Sequence, residues 1–359
     1  MLMPKFFSNV RRFLVLLCFY CGMASISYGQ IGGRNAFGFT SMAFEPHVSS
    51  LGGMVLGQTT TSMSGMDFPS ALQNGQKEVN IGYTSLYGSS SAFAVQYIMP
   101  HKRFGVLQVG TRYLTHGLLD RRDALNTYQG KFSANEVDLY AGTAFTWENY
   151  RFGVNVHGLI GQLEAQNSLG LAVDFTAFWE DSSGLTTMGF ALRNLGGEII
   201  PYAGKRRATP TDLQFGFSRK LKYLPLRIHC TLHDLYRWNL RFEDSLSSNS
   251  SNLFGLPEDQ SVGGFGKFTD NFFRHVNFGL DFNLFQDKFW FALGYNHQRR
   301  MEMAIPNRNG FAGFSLGFGM ELNRWAFGYS YAKHHLASGF HGIRTTLRFH
   351  KKAKNSVEN

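Results

Sequence analysis

Val276-Asn277-Phe278-Gly279-Leu280-Asp281-Phe282-Asn283-Leu284 carries an apolar side chain at every second position, with Asn, Gly, Asp and Asn between them. Successive side chains of a strand point to opposite faces, so this run reads as a strand with one apolar and one polar face. Four more runs repeat the pattern before the chain ends. Their alternating sets are Phe289, Phe291, Leu293 and Tyr295; Ala312, Phe314, Leu316, Phe318 and Met320; Trp325, Phe327, Tyr329 and Tyr331; and Ile343, Leu347 and Phe349 set against Arg344 and Arg348. Each segment approaches the roughly ten residues that a tilted strand needs to cross a bilayer. A soluble sandwich would alternate in the same way, so the connections have to separate the two.

Working outward, nine further strands are expected at 79–87, 91–99, 103–113, 135–147, 151–162, 168–179, 185–193, 212–220 and 226–235. With 276–284, 289–296, 311–322, 325–332 and 342–349 they make about fourteen, an even number as single-chain bacterial barrels require. Every second connection is short: 100–102, 148–150, 180–184, 221–225, 285–288 and 323–324. The others are mostly long: 114–134, 194–211, 236–274, 297–310 and 333–341. Short inner turns, long outer loops and both termini inside are the signature of an outer-membrane barrel. Two connections, 88–90 and 163–167, are short for outer loops. Trp147, Trp179 and Trp325 each abut a short turn and are expected to form the inner aromatic girdle. Glu136, Asp138, Asp174, Arg193, His229, His233, Asp281, Arg344 and Arg348 fall on the opposite face and make the interior polar. The expected fold is all-β, a transmembrane up-and-down antiparallel β-barrel of about 14 strands.

Composition agrees with such a chain. It has 359 residues, 43% of them hydrophobic, with 40 Gly, 35 Phe and only 9 Pro. No stretch beyond the start holds ~18 or more consecutive apolar residues, which excludes a helical membrane protein. Lys5, Arg11 and Arg12 precede an apolar run from Phe13 to Tyr20, and Ser27-Tyr28-Gly29 offers small residues to a signal peptidase. Residues 1–29 are read as a secretory signal, with Gln30 as the mature terminus. Cys18 and Cys21 leave with it, so only Cys230 remains and there is no disulfide framework. Without Lys5, Arg11 and Arg12 the net charge of +10 falls to +7. That excess is scattered, without the basic stripe that nucleic acid binding needs. Its clusters are Lys205-Arg206-Arg207 in one outer connection and Lys351-Lys352-Ala353-Lys354 in the terminal tail, 351–359. Lys205, Arg206 and Arg207 are candidates for contact with the phosphates of lipopolysaccharide. Residues 30–77 lack sustained alternation and are rich in Gly, Ser, Met and Thr. Ahead of a barrel at 78–350, they are expected to form an N-terminal plug, with a periplasmic arm as the alternative.

Catalytic and metal chemistry leave little trace. His229 and His233 share a strand, where four residues span about 13 Å and two imidazoles cannot hold one zinc ion. His334 and His335 would point to opposite faces if their segment is a strand, whereas a loop could bring them together. Ser330-Tyr331-Ala332-Lys333 has the S-x-x-K form, yet lies in an alternating strand instead of on one helical face. The Gly-rich run 313–319 alternates and precedes no helix, unlike a phosphate cradle. No cofactor, metal or catalytic set is expected, and the chain is read as non-enzymatic. The connection 236–274 instead carries Trp238, Leu240, Phe242, Phe254, Leu256 and Phe265 among Ser and Asn. Trp238, Phe242, Phe254 and Phe265 are candidates for docking a protein partner.

Several phrases together resemble one family. Gly32-Gly33-Arg34-Asn35-Ala36-Phe37-Gly38-Phe39, Ser49-Ser50-Leu51-Gly52-Gly53 and Phe68-Pro69-Ser70-Ala71-Leu72 are similar to the start of the PorQ proteins. Leu192-Arg193-Asn194-Leu195-Gly196, Gly294-Tyr295-Asn296-His297-Gln298-Arg299-Arg300 and His335-Leu336-Ala337-Ser338-Gly339 continue the resemblance over the whole mature chain. Some of these phrases recur in PorV barrels and more loosely in long-chain fatty acid transporters. Asp67-Phe68-Pro69 departs from the Asn-Pro-Ala of related barrels. The resemblance implies an outer-membrane component of the type IX secretion system of Bacteroidetes. Such a component would anchor a PorZ-like surface partner of the attachment complex beside PorU- and PorV-like components, for cell-surface attachment of secreted proteins. A transporter of hydrophobic small molecules is the alternative, and a membrane-embedded lipid enzyme the third reading.

Overall fold

Residues 35–57, 62–73, 76–202, 204–241, 264–303, 310–334 and 338–349 are described by a computed structural model. The expected signal sequence, residues 30–34 and the tail 351–359 lie outside the described residues. Fourteen strands close into one barrel. They are β1 (Lys77–Ser85), β2 (Ser91–His101), β3 (Gly105–Arg122), β4 (Tyr128–Trp147), β5 (Tyr150–Leu163), β6 (Gln166–Glu180) and β7 (Thr186–Ile200). The second half comprises β8 (Asp212–Lys220), β9 (Leu226–Leu232), β10 (Val276–Leu284), β11 (Phe289–Asn296), β12 (Phe314–Glu321), β13 (Trp325–Ala332) and β14 (Phe340–Phe349). Every neighbour is antiparallel and next in sequence except β1 and β14, which seal the barrel. Closure leaves no strand edge in the hydrocarbon, where an unpaired N–H or C=O would be costly. The sealing register places Glu78 opposite Arg348, and their side chains approach to 3.3 Å.

The outward face is apolar, as at Phe278, Phe291, Phe318 and Phe327, all exposed on the isolated chain. Buried residues on the other face alternate with them, for example Asn277, Gly279, Asp281 and Asn283 on β10. Trp147 and Trp325 are exposed and Trp179 is partly so, each at a short turn. No helix among the described residues is long and apolar enough to cross a membrane.

Four of the long outer connections carry regular structure among the described residues. Residues 114–134 continue β3 and β4 as a ribbon in which Leu118 faces Ser133 and Arg121 faces Gly130, with shifts of register on either side. The alternation there is blurred by charge, because a ribbon outside the membrane has no apolar face to keep. β7 runs on to Ile200, seven residues beyond Arg193. The connection after β9 ends in helix α2 (Gly264–Arg274), and the one after β11 opens with helix α3 (His297–Glu302). Helix α3 is capped by Asn296, whose side-chain oxygen accepts from the Arg299 N–H at 2.9 Å. That cap supplies an acceptor for one of the N–H donors a helix start leaves unpaired.

Candidate functional site

Residues 35–57 and 62–73, within the span expected to be a plug, fold against the inward side chains of the barrel. The segment starts at the outer end, where the Ala36 N–H donates to the Ala208 carbonyl of the β7–β8 connection at 2.9 Å. A short helix α1 (Pro46–Ser50) follows, with Pro46 at its first turn and Glu45 as N-cap, its carboxylate accepting from the Val48 N–H at 2.6 Å. Gly52 and Gly53 then reverse the chain with φ of 95° and 93°, a region that L side chains avoid. The wall receives this turn closely. A Cβ on Gly294 of β11 would lie 2.2 Å from the Gly52 nitrogen, and one on Gly189 of β7 would lie 1.9 Å from the Leu56 carbonyl oxygen.

Polar anchors hold the segment at three levels. Asp67 receives Arg112 of β3 at 2.9 Å and Arg193 of β7 at 2.5 Å. Arg112 also meets Asp138 at 2.6 Å, and His157 bridges Asp138 and Asp174 at 3.1 and 3.0 Å. All six are buried. On the opposite wall Arg344 lies between Glu45 at 3.5 Å and Glu321 at 2.5 Å, while His47 meets Asp281 at 3.2 Å. Between them runs an amide ladder: Asn80 donates to Gln96 at 2.9 Å, Gln96 to Gln108 at 2.6 Å, and Gln108 to the Gly65 carbonyl at 2.6 Å. Asn277 closes the set by donating to the Leu51 and Met54 carbonyls at 2.9 and 2.8 Å. Gln108→Leu leaves the Gln96 amide and the Asn155 side-chain oxygen without their buried partner, while the Gly65 carbonyl keeps only the longer bond from Asn155 at 3.2 Å. It should therefore lower stability by about 1–3 kcal/mol, read as an earlier thermal transition of the detergent-solubilised barrel; an unchanged transition would remove the ladder from the anchoring set.

Apolar packing is confined to seams. The largest joins Phe37, Phe39, Phe44, Met63 and Met66 of the luminal segment to Ala92, Ala94, Leu114, Tyr140, Leu159 and Ala172 of the wall. Small wall residues face large, adaptable ones on the segment. A second seam sets Leu51 and Val55 against Trp290 and Ala292.

The residues proposed from sequence are spread along the outer end. Trp238 stacks on His275 at 4.9 Å and lies 5.9 Å from Phe268 of α2. Leu240, grouped with it in the sequence reading, is instead fully buried, its N–H donating to Asn271 of α2 at 3.0 Å. Phe242 and Phe254 lie outside the described residues, as does the side chain of Phe265. Lys205, Arg206 and Arg207 are exposed in the connection after β7, where the Arg207 N–H donates to Glu198 at 2.9 Å. Among the inward residues anticipated, Asp138, Asp174, Arg193, His229, His233, Asp281 and Arg344 are all buried. Asp67, Glu45, Arg112, Gln96, Gln108 and Asn155 were missed. The strand residues among them were legible by parity, whereas nothing local marks Asp67 as a partner for two arginines.

No protein-family profile matches the chain, and no curated protein matches it either. Solved structures do. A monoaromatic hydrocarbon channel, CymD, is 11% identical, with a TM-score of 0.52, covering 88% of this chain and 100% of its own. The deltaS2 mutant of the monoaromatic hydrocarbon channel TodX is 10% identical, with a TM-score of 0.50 and the same coverages. At such identities the likeness is one of fold. The protein is an outer-membrane β-barrel of the architecture these channels share.

Proposed function

We propose that this barrel is a plugged outer-membrane channel that admits small hydrophobic molecules. The observation that carries the reading is the seam of Phe37, Phe39, Phe44, Met63 and Met66 against Ala92, Ala94 and Ala172. It runs between a segment and a wall joined by side-chain contacts instead of strand pairing, and it is the largest of the apolar clusters that interrupt the polar lining of the lumen among the described residues. An apolar solute can replace side chain–side chain contacts along such a seam, whereas a hydrated one would have to break the ion pairs around Asp67. The hydrocarbon channels that share the architecture support the same cargo class. Uptake of labelled toluene into proteoliposomes tests it. Wild type should exceed empty vesicles, and Ala94→Trp, which fills the seam from the wall, should return uptake to the empty-vesicle level. Equal uptake by the two proteins would defeat the proposal.

A second reading, that the protein anchors a PorZ-like surface component of a type IX secretion system, draws on the resemblance in sequence and on one surface. Trp238, Phe268, Phe272 and Phe273 are exposed together around α2 at the outer end, a grouping of the kind that protein interfaces bury. Lys205, Arg206 and Arg207 would then face lipopolysaccharide. The test is an affinity pull-down from gently solubilised outer membranes, in which wild type should retain a large exported protein and Trp238→Ala with Phe268→Ala should lose it. Retention by both would remove this surface from the reading.

A further inference from the structure

A recess lies in the lipid-facing wall. On the outward side of β2 to β5 the side chains leave a shallow groove of about 640 Å³. Across the ladders Val95 faces Thr111, which faces Leu139; in the next row Tyr97 faces Val109, which faces Ala141. Val95, Leu139 and Val156 stand out from the wall, whereas Thr111, Ala141 and Gly158 are short. A Cβ on Gly158 would find, beyond its chain neighbours, only the Leu139 carbonyl oxygen, at 3.8 Å, so the space above it is open. The three ladders pass through this region without a shift of register. The groove is therefore a hollow in the outer surface and does not open into the lumen.

Its height selects what can fill it. Six residues separate Ala141 from Trp147 at the inner end of β4, and six separate Val156 from Tyr150 at the start of β5. Six residues rise about 20 Å along a strand, or about 15 Å along the membrane normal at a tilt near 40°. That is half of a hydrocarbon core about 30 Å thick. A head group cannot lie at this depth, whereas an acyl chain of the inner leaflet reaches it. Beneath the groove, the short turn between β2 and β3 carries Lys102 and Arg103, both exposed and without an ion pair among the described residues. Arg103 lies over the ring of Phe104 at 5.6 Å, a cation and an aromatic placed together at the inner end of the strands. The turn begins four residues below Tyr97, about 13 Å along the strand, within one leaflet of the groove.

We propose that this groove, with Lys102 and Arg103 beneath it, holds one phospholipid of the inner leaflet, an acyl chain lying in the groove and the phosphate meeting the two cations. The groove is continuous with the surface that the barrel already presents to lipid, and the charge of the turn is opposite to that of a phosphate. The same four strands carry Ala94, Leu114, Tyr140 and Leu159 of the luminal seam on their other face, so the bound chain backs the wall against which the luminal segment packs. The inference does not depend on the cargo of the channel.

Native mass spectra of the full-length protein, released by detergent from nanodiscs of phosphatidylethanolamine, phosphatidylglycerol and lipid A, test the site. Wild type should keep one phospholipid at a detergent concentration that strips the remaining lipid. Ala141→Phe with Gly158→Phe, which fills the groove from the lipid side, should lose it. Cys230→Phe, a half-buried position on β9 across the barrel, should match wild type. Lys102→Gln with Arg103→Gln should weaken retention about tenfold or more. That pair leaves the strands untouched and carries the comparison should the Phe variant not fold, judged by heat-modifiable migration. Equal retention by wild type and both groove and turn variants means belt lipid only and overturns the proposal. So does retention of lipid A in place of a phospholipid. A wild-type dimer that Ala141→Phe with Gly158→Phe dissolves also overturns it, by giving the groove to a second copy of the chain.

Discussion

Asp67→Ala should turn a closed barrel into a leaking one. The carboxylate accepts from Arg112 and Arg193, and all three side chains are buried. Arg112 keeps Asp138 after the substitution, but Arg193 loses the one carboxylate it pairs with among the described residues and is left with the Thr40 carbonyl at 3.3 Å and the face of Phe68 at 4.9 Å. Removing one partner of a buried pair costs about 3–5 kcal/mol, because the remaining charge is uncompensated. The strands contribute their own hydrogen bonds, so the loss falls on the seating of the luminal segment. Planar-bilayer recordings should show stepwise conductance in Asp67→Ala where wild type is quiet, together with a lower thermal transition. Asp67→Ala with Arg193→Met should recover part of both, since it removes the stranded charge. Quiet bilayers and an unshifted transition would show that the segment is held elsewhere.

Gly294→Val should unseat the same segment by a different route. A Cβ at this position meets the Gly52 nitrogen at 2.2 Å and the Leu51 carbonyl carbon at 2.3 Å, which are backbone atoms that no rotamer change can move. The neighbouring turn has little freedom either, since Asn277 and Asn296 hold the Leu51, Gly52 and Met54 carbonyls. Overpacking ordinarily costs about 1–3 kcal/mol, and more where backbone must shift. Ser50, fully buried, reports the outcome. With Cys230 replaced by Ser, Ser50→Cys should resist maleimide in the wild-type background and react readily when Gly294→Val is added. Slow labelling in both would mean that the wall yields instead of the segment.

The two substitutions show where reading from sequence stops. Gly294 belongs to the alternation of β11, whose bounds, Phe289–Asn296, were legible residue for residue, as were those of β8, β10 and β13. Parity placed Gly294 on the inward face, but a glycine in a strand gives no sign of whether it faces water or another backbone. Asp67 was visible only as a departure from a family phrase. Its two arginines lie 45 and 126 residues away, and no local pattern encodes a contact of that separation. Helices α2 and α3 were missed for a related reason: they lie in the outer connections, where neither lipid nor lumen imposes a period.

Fold class, strand number, the order of short and long connections and the inward or outward sense of most strand residues were therefore determined by the sequence alone. A bilayer demands one apolar face and a filled lumen demands the other, so the physics writes a period of two into the chain. The tertiary structure alone decided which buried charges meet and where the N-terminal segment sits. Those facts depend on barrel closure, which sets the distances between residues that the chain keeps far apart.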